Sequence, residues 1–553
     1  MESTSGRGGR LPLVILAMLV VAALAAAWWY LARPGGDGPA AAPAALPTLA
    51  FSPSACPTAN DLPGTGWDFP QKPGIVESWV AAGDVARTRV HGWWLWAAIN
   101  QPPPGGSEPL WRGWCTSTQA YSDPGLADPF EAAAGPHAPA TAAASLGARR
   151  AANNSASAEP IQLPGGPVYP VPASLQGKCF DSGTKSLVDG PGFASTGDIM
   201  IGGVIYNPPA FHSIRDQKLY LAETLAAKQP KSRSDPPASI ALARNSVVLK
   251  PRLWPVPASG YSALPLWDNA TEDGGTYAGF ERQSLWPRAV AVTAQPRPGV
   301  DRVDVQYLWN VKQADGTSPW GPQTYRQARV VPIRRFYAYR PDLSAMDPCD
   351  RAIIDASSLW AYNRPFRQGD YLILIAMHIM TKEQEAWTFQ SFWWSDRPDD
   401  PVFGADRPAI PAAQGPWRNY LMASTYGIPV PRAAPPAAGA GRPGQPRPAA
   451  AAAALWGVAF NPYLELAADH PIATNCMNCH HRGGYPSVED PNAFGAKYLT
   501  GLPSDPGAIG VLRPGNPLFN GLVLTDKQWT LPNRAAPLRA PPTPAAAGAR
   551  RPR

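Results

Sequence analysis

"DYLILIAMHIM", residues 370–380, is an apolar run opened by an acid and interrupted by a single histidine. It does not alternate, so by pattern alone it suits a strand buried on both faces or a buried helix. The segments around it point to sheet. "SVVLKPRLWPV" (246–256), "RVDVQYLWNVK" (302–312) and "AWTFQSFWW" (386–394) are rich in β-branched and aromatic residues and bounded by Pro, Gly or Asp. "RVDVQYLW" alternates at first, as a half-buried strand does. The best helix is "DQKLYLAETLAAKQ" (216–229), with leucines on one side and a polar opposite face. Residues 71–125 carry a tryptophan-dense stretch, "SWVAAGDVARTRVHGWWLWAAIN" followed by "LWRGWC". The expected fold class is α+β, built on a large β-rich, tryptophan-dense domain.

Outward from this body the composition changes. The chain has 553 residues, with 68 prolines and 50 glycines. Many of these lie in alanine–proline stretches that cannot bury enough apolar surface to fold. The expected organisation is a cytoplasmic tail (1–10), a transmembrane anchor (11–32) and a flexible stalk (33–50). The β-rich exported domain (51–430) follows, with a low-complexity loop at 131–160. An Ala/Pro linker (431–454) leads to a small segment (455–533), expected to be mainly helical, and a disordered basic tail (534–553).

The anchor rests on residues 11–32, which carry no charge. As a helix they would reach about 33 Å, enough for a hydrocarbon core of roughly 30 Å. Arg7 and Arg10 precede the run, so the short N-tail is expected in the cytoplasm and the bulk of the chain on the periplasmic side of the inner membrane. Trp28, Trp29 and Tyr30 stand where an interfacial aromatic belt would lie. A cleaved signal peptide, cut near Ala25–Ala27, is the rival reading. Both export the body.

Formal charge is +7. Arg7, Arg10 and Arg33 oppose only Glu2 at the N-terminus. Arg534, Arg539, Arg550, Arg551 and Arg553 face no acid between 531 and 553. The body between is neutral, which excludes a nucleic-acid binder with a basic folded face. The acids Glu383, Glu385, Asp396, Asp399 and Asp400 read as a solvated turn. No nucleophile elbow, phosphate loop or zinc-protease motif occurs.

The chemistry concentrates in "NCMNCHHRGG", residues 475–484. Cys–x–x–Cys–His supplies what covalent haem attachment needs: two thiols, Cys476 and Cys479, for the two vinyl groups of one porphyrin edge, and His480 to bind the iron. A thioredoxin-like dithiol would need a strand before it and a βαβ setting, and "AADHPIATN" is no such strand. Zinc would use Cys476, Cys479, His480 and His481, but adjacent histidines diverge and no second ligand pair follows. A plain disulfide is the remaining reading. The other cysteines, Cys56, Cys115, Cys179 and Cys349, could form two disulfides outside the cytoplasm, with three connectivities open.

At "CMNCH" the sequence resembles the c-type cytochromes. The resemblance implies one covalent haem c held by Cys476 and Cys479, with His480 as proximal ligand. The wider arrangement, a tryptophan-rich body with "MHIMTKEQEAWTFQSFWW" and a late Cys–x–x–Cys–His, also resembles exported bacterial proteins of the cytochrome c family, and that likeness implies no substrate. Small class I members take a methionine from well after the motif as sixth ligand. Here Met477 is the last methionine and His481 the last histidine, and neither can reach the far face. The sixth ligand therefore comes from upstream, is something unusual such as Lys497, or is absent. His378 and Met422 are the first choices, ahead of Met377, Met380, Met200 and His212. Methionine in an apolar segment is usually core filling.

The expected function is one-electron transfer by an exported, membrane-anchored protein with redox partners of unspecified kind. A haem enzyme with an open distal site (a peroxidase or small-molecule oxidoreductase), a haem sensor, and an accessory subunit of a membrane redox complex are the alternatives. The 21 tryptophans could line a ligand groove, shield the haem from water, or simply pack a sheet core.

Overall fold

The computed structural model describes residues 69–103, 106–121, 201–267, 286–307, 323–344, 361–410, 415–427, 459–464, 476–486 and 517–535, with scattered residues between 346 and 358 and a few two-residue strands elsewhere. The expected anchor, the 131–160 loop, the 431–454 linker, the tail beyond 535 and all of the stalk except Thr48–Leu49, a strand paired in parallel with Arg340–Pro341, lie outside them. Among the described residues no helix is long and apolar enough to cross a membrane. The described residues from 69 to 535 belong to one compact unit of mixed α and β structure with a large sheet content.

The tryptophan-dense stretch is helical: α1 is Ile75–Ala82 and α2 is Val85–Asn100. Gly83 closes α1 at φ 66°, a conformation glycine adopts without strain. The Asp84 carboxylate then accepts the Arg87 amide at 3.0 Å and starts α2. From Trp93 onward α2 is covered almost all round. It therefore lacks the polar face that would have marked it as a helix.

The strands are β1 (Cys115–Thr116), β2 (Ile201–Gly202) and β3 (Ile205–Tyr206), followed by helices α3 (Pro208–Asp216) and α4 (Ala222–Lys228). The chain continues through β4 (Ala238–Ser239), β5 (Val247–Val256), β6 (Ser262–Leu266), β7 (Arg288–Thr293), β8 (Arg302–Tyr307) and β9 (Gln323–Pro332). Then come β10 (Ala338–Pro341), β11 (Tyr371–Thr381), β12 (Thr388–Trp394) and β13 (Tyr420–Thr425). The C-terminal part holds α5 (Cys476–His480), β14 (Gly484–Tyr485), β15 (Val523–Leu524) and α6 (Thr530–Arg534). The helix expected over 216–229 is therefore only α4. A turn with Lys218 at φ 53° separates it from α3.

The opening run is β11, a strand at the centre of the main sheet. It pairs antiparallel with β5 along one edge and with β10 and then β12 along the other. Beyond β5 lie β2, β3 and β1, and beyond β12 lies β13. A smaller sheet runs β6–β7–β9–β8.

Both faces of the main sheet are covered. On one, α2 packs Trp96 flat against Phe392, ring centroids 4.3 Å apart. A Cβ on Gly92 would sit 2.8 Å from the Met422 sulfur, so glycine permits that approach. On the other face, Asn461 donates to Ser391 Oγ at 2.8 Å, and His480 packs on Phe389. Trp93, Trp96, Trp111, Trp286, Trp387 and Trp393 are all fully buried, which is ordinary sheet and helix packing.

The described residues of 455–533 pack against the main body. They include α5 and two two-residue strands. β14 pairs with β15, and β15 pairs in parallel with β4 of the main body. α5 enters the same core as Tyr206, Val248, Met380 and Phe389.

Candidate functional site

α5 is one turn of helix laid on the outer face of β11 and β12. The Cys476 amide donates to the Ala459 carbonyl at 3.0 Å, and the His481 amide to Met477 at 2.9 Å. Cys476 is buried and is a thiol rather than half of a disulfide. The Cys479 side chain lies outside the described residues, as do Cys56, Cys179 and Cys349. Cys115 is disulfide-bonded.

His480 is oriented by its neighbours. Its Nδ1 lies 2.7 Å from the Lys527 carbonyl, and a carbonyl only accepts, so Nδ1 carries the proton. Nε2 is left with its lone pair, the form in which imidazole binds a metal. Phe389 tilts against the ring at 5.3 Å between centroids. Burial pushes the His480 pKa down to about 4. The Lys527 carbonyl opposes the shift and the Lys250 ammonium adds to it.

Strand register decides which main-body residue meets this helix. His378 pairs with Ser391, which pairs with Ala423; Met377 pairs with Phe392, which pairs with Met422. Side chains alternate between faces. His378 therefore shares the face of Phe389 and Ser391 with α5, and its Nε2 lies 3.9 Å from Cys476 Sγ. Met422 and Met377 share the face of Phe392 with α2, on the far side of the sheet. Of the two first choices for a distal ligand, the structure brings His378 to the motif and keeps Met422 away from it. Met380 is on the motif's side, packed in the same core. His212 lines a shallow surface cleft with Pro209, Ser213 and Asp216. Met200 and Lys497 lie outside the described residues.

His378 is held well below the usual histidine range, first by burial, then by the Lys250 ammonium, its partner on β5, and by the cost of charging a second imidazole beside His480. His481 is pushed down to about 3, chiefly by burial and then by Lys527, against a hydrogen bond to the Ala386 backbone. Three neutral imidazoles thus cluster around α5. Among the described residues no group of three or more His, Cys, Asp or Glu is arranged to hold a bare metal ion.

Two polar clusters near the site were not legible in the sequence. In the first, the Asp526 carboxylate accepts from Lys382 Nζ at 2.6 Å, Trp387 Nε1 at 2.9 Å and the Leu242 amide at 2.8 Å. In the second, Glu383 accepts from the Gln71 amide at 2.8 Å and the Thr381 hydroxyl at 2.7 Å, with His91 Nε2 at 3.3 Å. His91 Nδ1 meets the Tyr426 hydroxyl at 2.8 Å. The solvated turn expected at Glu383 is thus corrected: this carboxylate is fully buried. Burial pushes its pKa up, yet His91, Gln71 and Thr381 together pull it below the ordinary value. Asp396 is likewise engaged, by Arg288 at 3.1 Å.

The described residues bring together a buried thiol, an imidazole protonated on Nδ1 and, from β11, a second imidazole, donors that would fit a haem. No protein-family model matches the chain, and no curated protein or solved structure matches it either.

Proposed function

We propose that this chain is a one-electron carrier with a single haem c, attached through Cys476 and Cys479 and bound at iron by His480, with His378 as the second axial ligand. The observation that carries the reading is the 2.7 Å hydrogen bond from His480 Nδ1 to the Lys527 carbonyl. It leaves the lone pair on Nε2 of the residue that a Cys–x–x–Cys–His motif assigns to iron. When bound, the haem supplies an iron that takes up and releases one electron.

The protein's own part is orientation and exclusion of water. The Lys527 carbonyl fixes the tautomer of His480 and raises its basicity as a ligand. Burial and Lys250 keep His378 and His480 unprotonated, so both lone pairs stay available. Phe389, Met380 and Val248 line the approach with apolar surface, which excludes water and favours the less charged, reduced state. Cys476 and His480 on α5 and His378 on β11 would be the residues that hold the group. With the expected anchor at 11–32, the carrier would stand on the periplasmic side of the inner membrane.

The test is an optical spectrum of the full-length chain, produced with haem-maturation machinery and purified in detergent. Sharp reduced c-type bands that carbon monoxide leaves unchanged support two protein ligands at iron. His378→Ala should keep the covalent haem and gain a carbon monoxide shift. A wild-type spectrum that shifts under carbon monoxide would favour the haem-enzyme or sensor reading instead. A colourless wild-type chain would refute the haem.

A further inference from the structure

Residues 525–528, "TDKQ", form a turn closed by the Gln528 amide on the Thr525 carbonyl at 2.9 Å. Its two central residues, Asp526 and Lys527, have φ of 49° and 66°. Two successive left-handed residues are the mark of a mirror-image turn, which normally takes Asn or Gly. For non-glycine residues this conformation is strained. Such strain persists where the surroundings over-determine it.

The surroundings here converge on one side chain. The Asp526 carboxylate is buried and takes three donors from two distant parts of the chain: Lys382 Nζ and Trp387 Nε1 on Oδ1, and the Leu242 amide on Oδ2. Lys382 and Trp387 are the two ends of the loop between β11 and β12, and Trp387 is itself left-handed at φ 61°. On its other side the turn is tied to the motif, because the Thr525 amide donates to the Gly483 carbonyl at 3.1 Å. The carbonyl that follows Asp526 in the chain, that of Lys527, is the acceptor for His480 Nδ1.

We propose that Asp526 is a positioning residue for the His480 ligand: its three-donor tether holds the Lys527 carbonyl against Nδ1, and so sets the imidazole tautomer and its donor strength toward iron. The inference rests on the haem reading only for its consequence at iron; the tautomer exists without the haem. In water a neutral imidazole favours the proton on Nε2, so a proton on Nδ1 requires a fixed acceptor there. A looser acceptor makes His480 a weaker electron donor, which disfavours ferric iron and raises the midpoint potential.

The test uses the full chain in two forms. In the haem-free chain with labelled histidine, nitrogen NMR should show His480 protonated on Nδ1. In Lys382→Met/Asp526→Asn, which removes both buried charges together, the Nδ1–H signal should fall and the Nε2–H form should appear. Trp387→Phe, which removes one neutral donor, should shift the balance less and in the same direction. In the haem-loaded chain, the midpoint potential should rise in the same order. An Nε2–H tautomer in the wild type would overturn the proposal. So would an unchanged tautomer and potential in a double variant that keeps its unfolding transition; if that variant does not fold, an unchanged Trp387→Phe serves the same end. A wild type without covalent haem would sink the haem reading and leave the tautomer to decide this one.

Discussion

His378 on the central strand and Cys476 on the motif helix, 98 positions apart in sequence, lie with Nε2 and Sγ 3.9 Å apart. The contact joins the tryptophan-rich body to the cysteine motif at one point. It follows from strand register, because the alternation that puts His378 outward toward α5 also puts Met377 and Met422 inward toward α2. A shift of one residue along β11 would reverse the assignment.

That register separates two variants. His378→Ala should change the ligation of the haem-loaded chain. Met422→Ala should leave the spectrum alone and instead cost about 2–5 kcal/mol of stability, as large-to-small changes in a packed core do. Spectra under carbon monoxide and denaturant titrations of both variants check this. A Met422→Ala spectrum with an opened iron site would contradict the placement of the faces.

Acid should destabilise the haem-free chain through its buried imidazoles. Unfolded, each histidine takes up a proton near 6.5; folded, His480 does so only near 4 and His481 near 3, with His378 also well below its ordinary value. Between these values the unfolded state binds more protons, so stability is complete above about 6.5 and falls as pH drops. The denaturation midpoint should therefore decline between pH 7.5 and 5.5, above the carboxylate range. A flat or rising midpoint would mean the three rings are not buried in neutral form.

Glu383→Ala should unfold more easily without touching the cysteine motif. It strands His91 and two further donors in the core, and breaking a buried pair from one side costs about 3–5 kcal/mol. Pairing it with His91→Phe should recover part of that loss. Calorimetry of both variants, beside their reduced spectra, tests this. A spectrum altered by Glu383→Ala alone would tie the His91 cluster to the site.

The sequence showed the strands better than what they meet. "SVVLKPRLWPV" and "AWTFQSFWW" read as strands from β-branched and aromatic runs bounded by breakers, whereas "YLILIAMHIM" suited a buried helix as well, and its pairing with β5 and β12 makes it a strand. The helix α2 escaped notice because a helix buried all round has no amphipathic period. Glu383 stands among charged neighbours and looks solvated; only the fold brings His91 and Gln71 over it. The "TDKQ" turn lacks the Gly or Asn that flags a left-handed turn, and its anchors, Leu242 and Lys382, are far away in the chain. In the site itself, Cys–x–x–Cys–His was legible as a unit because its chemistry is local. The choice of His378 over Met422 was not, since it depends on which face of a sheet each residue occupies.

The most direct test of the central claim is the intact mass of the full-length chain after denaturation, from cells with haem-maturation machinery, beside Cys476→Ala/Cys479→Ala. The wild type should carry the added mass of one haem and a c-type pyridine spectrum, and the variant neither. A wild type at its bare polypeptide mass, with maturation machinery shown to be active on another c-type cytochrome, would contradict it.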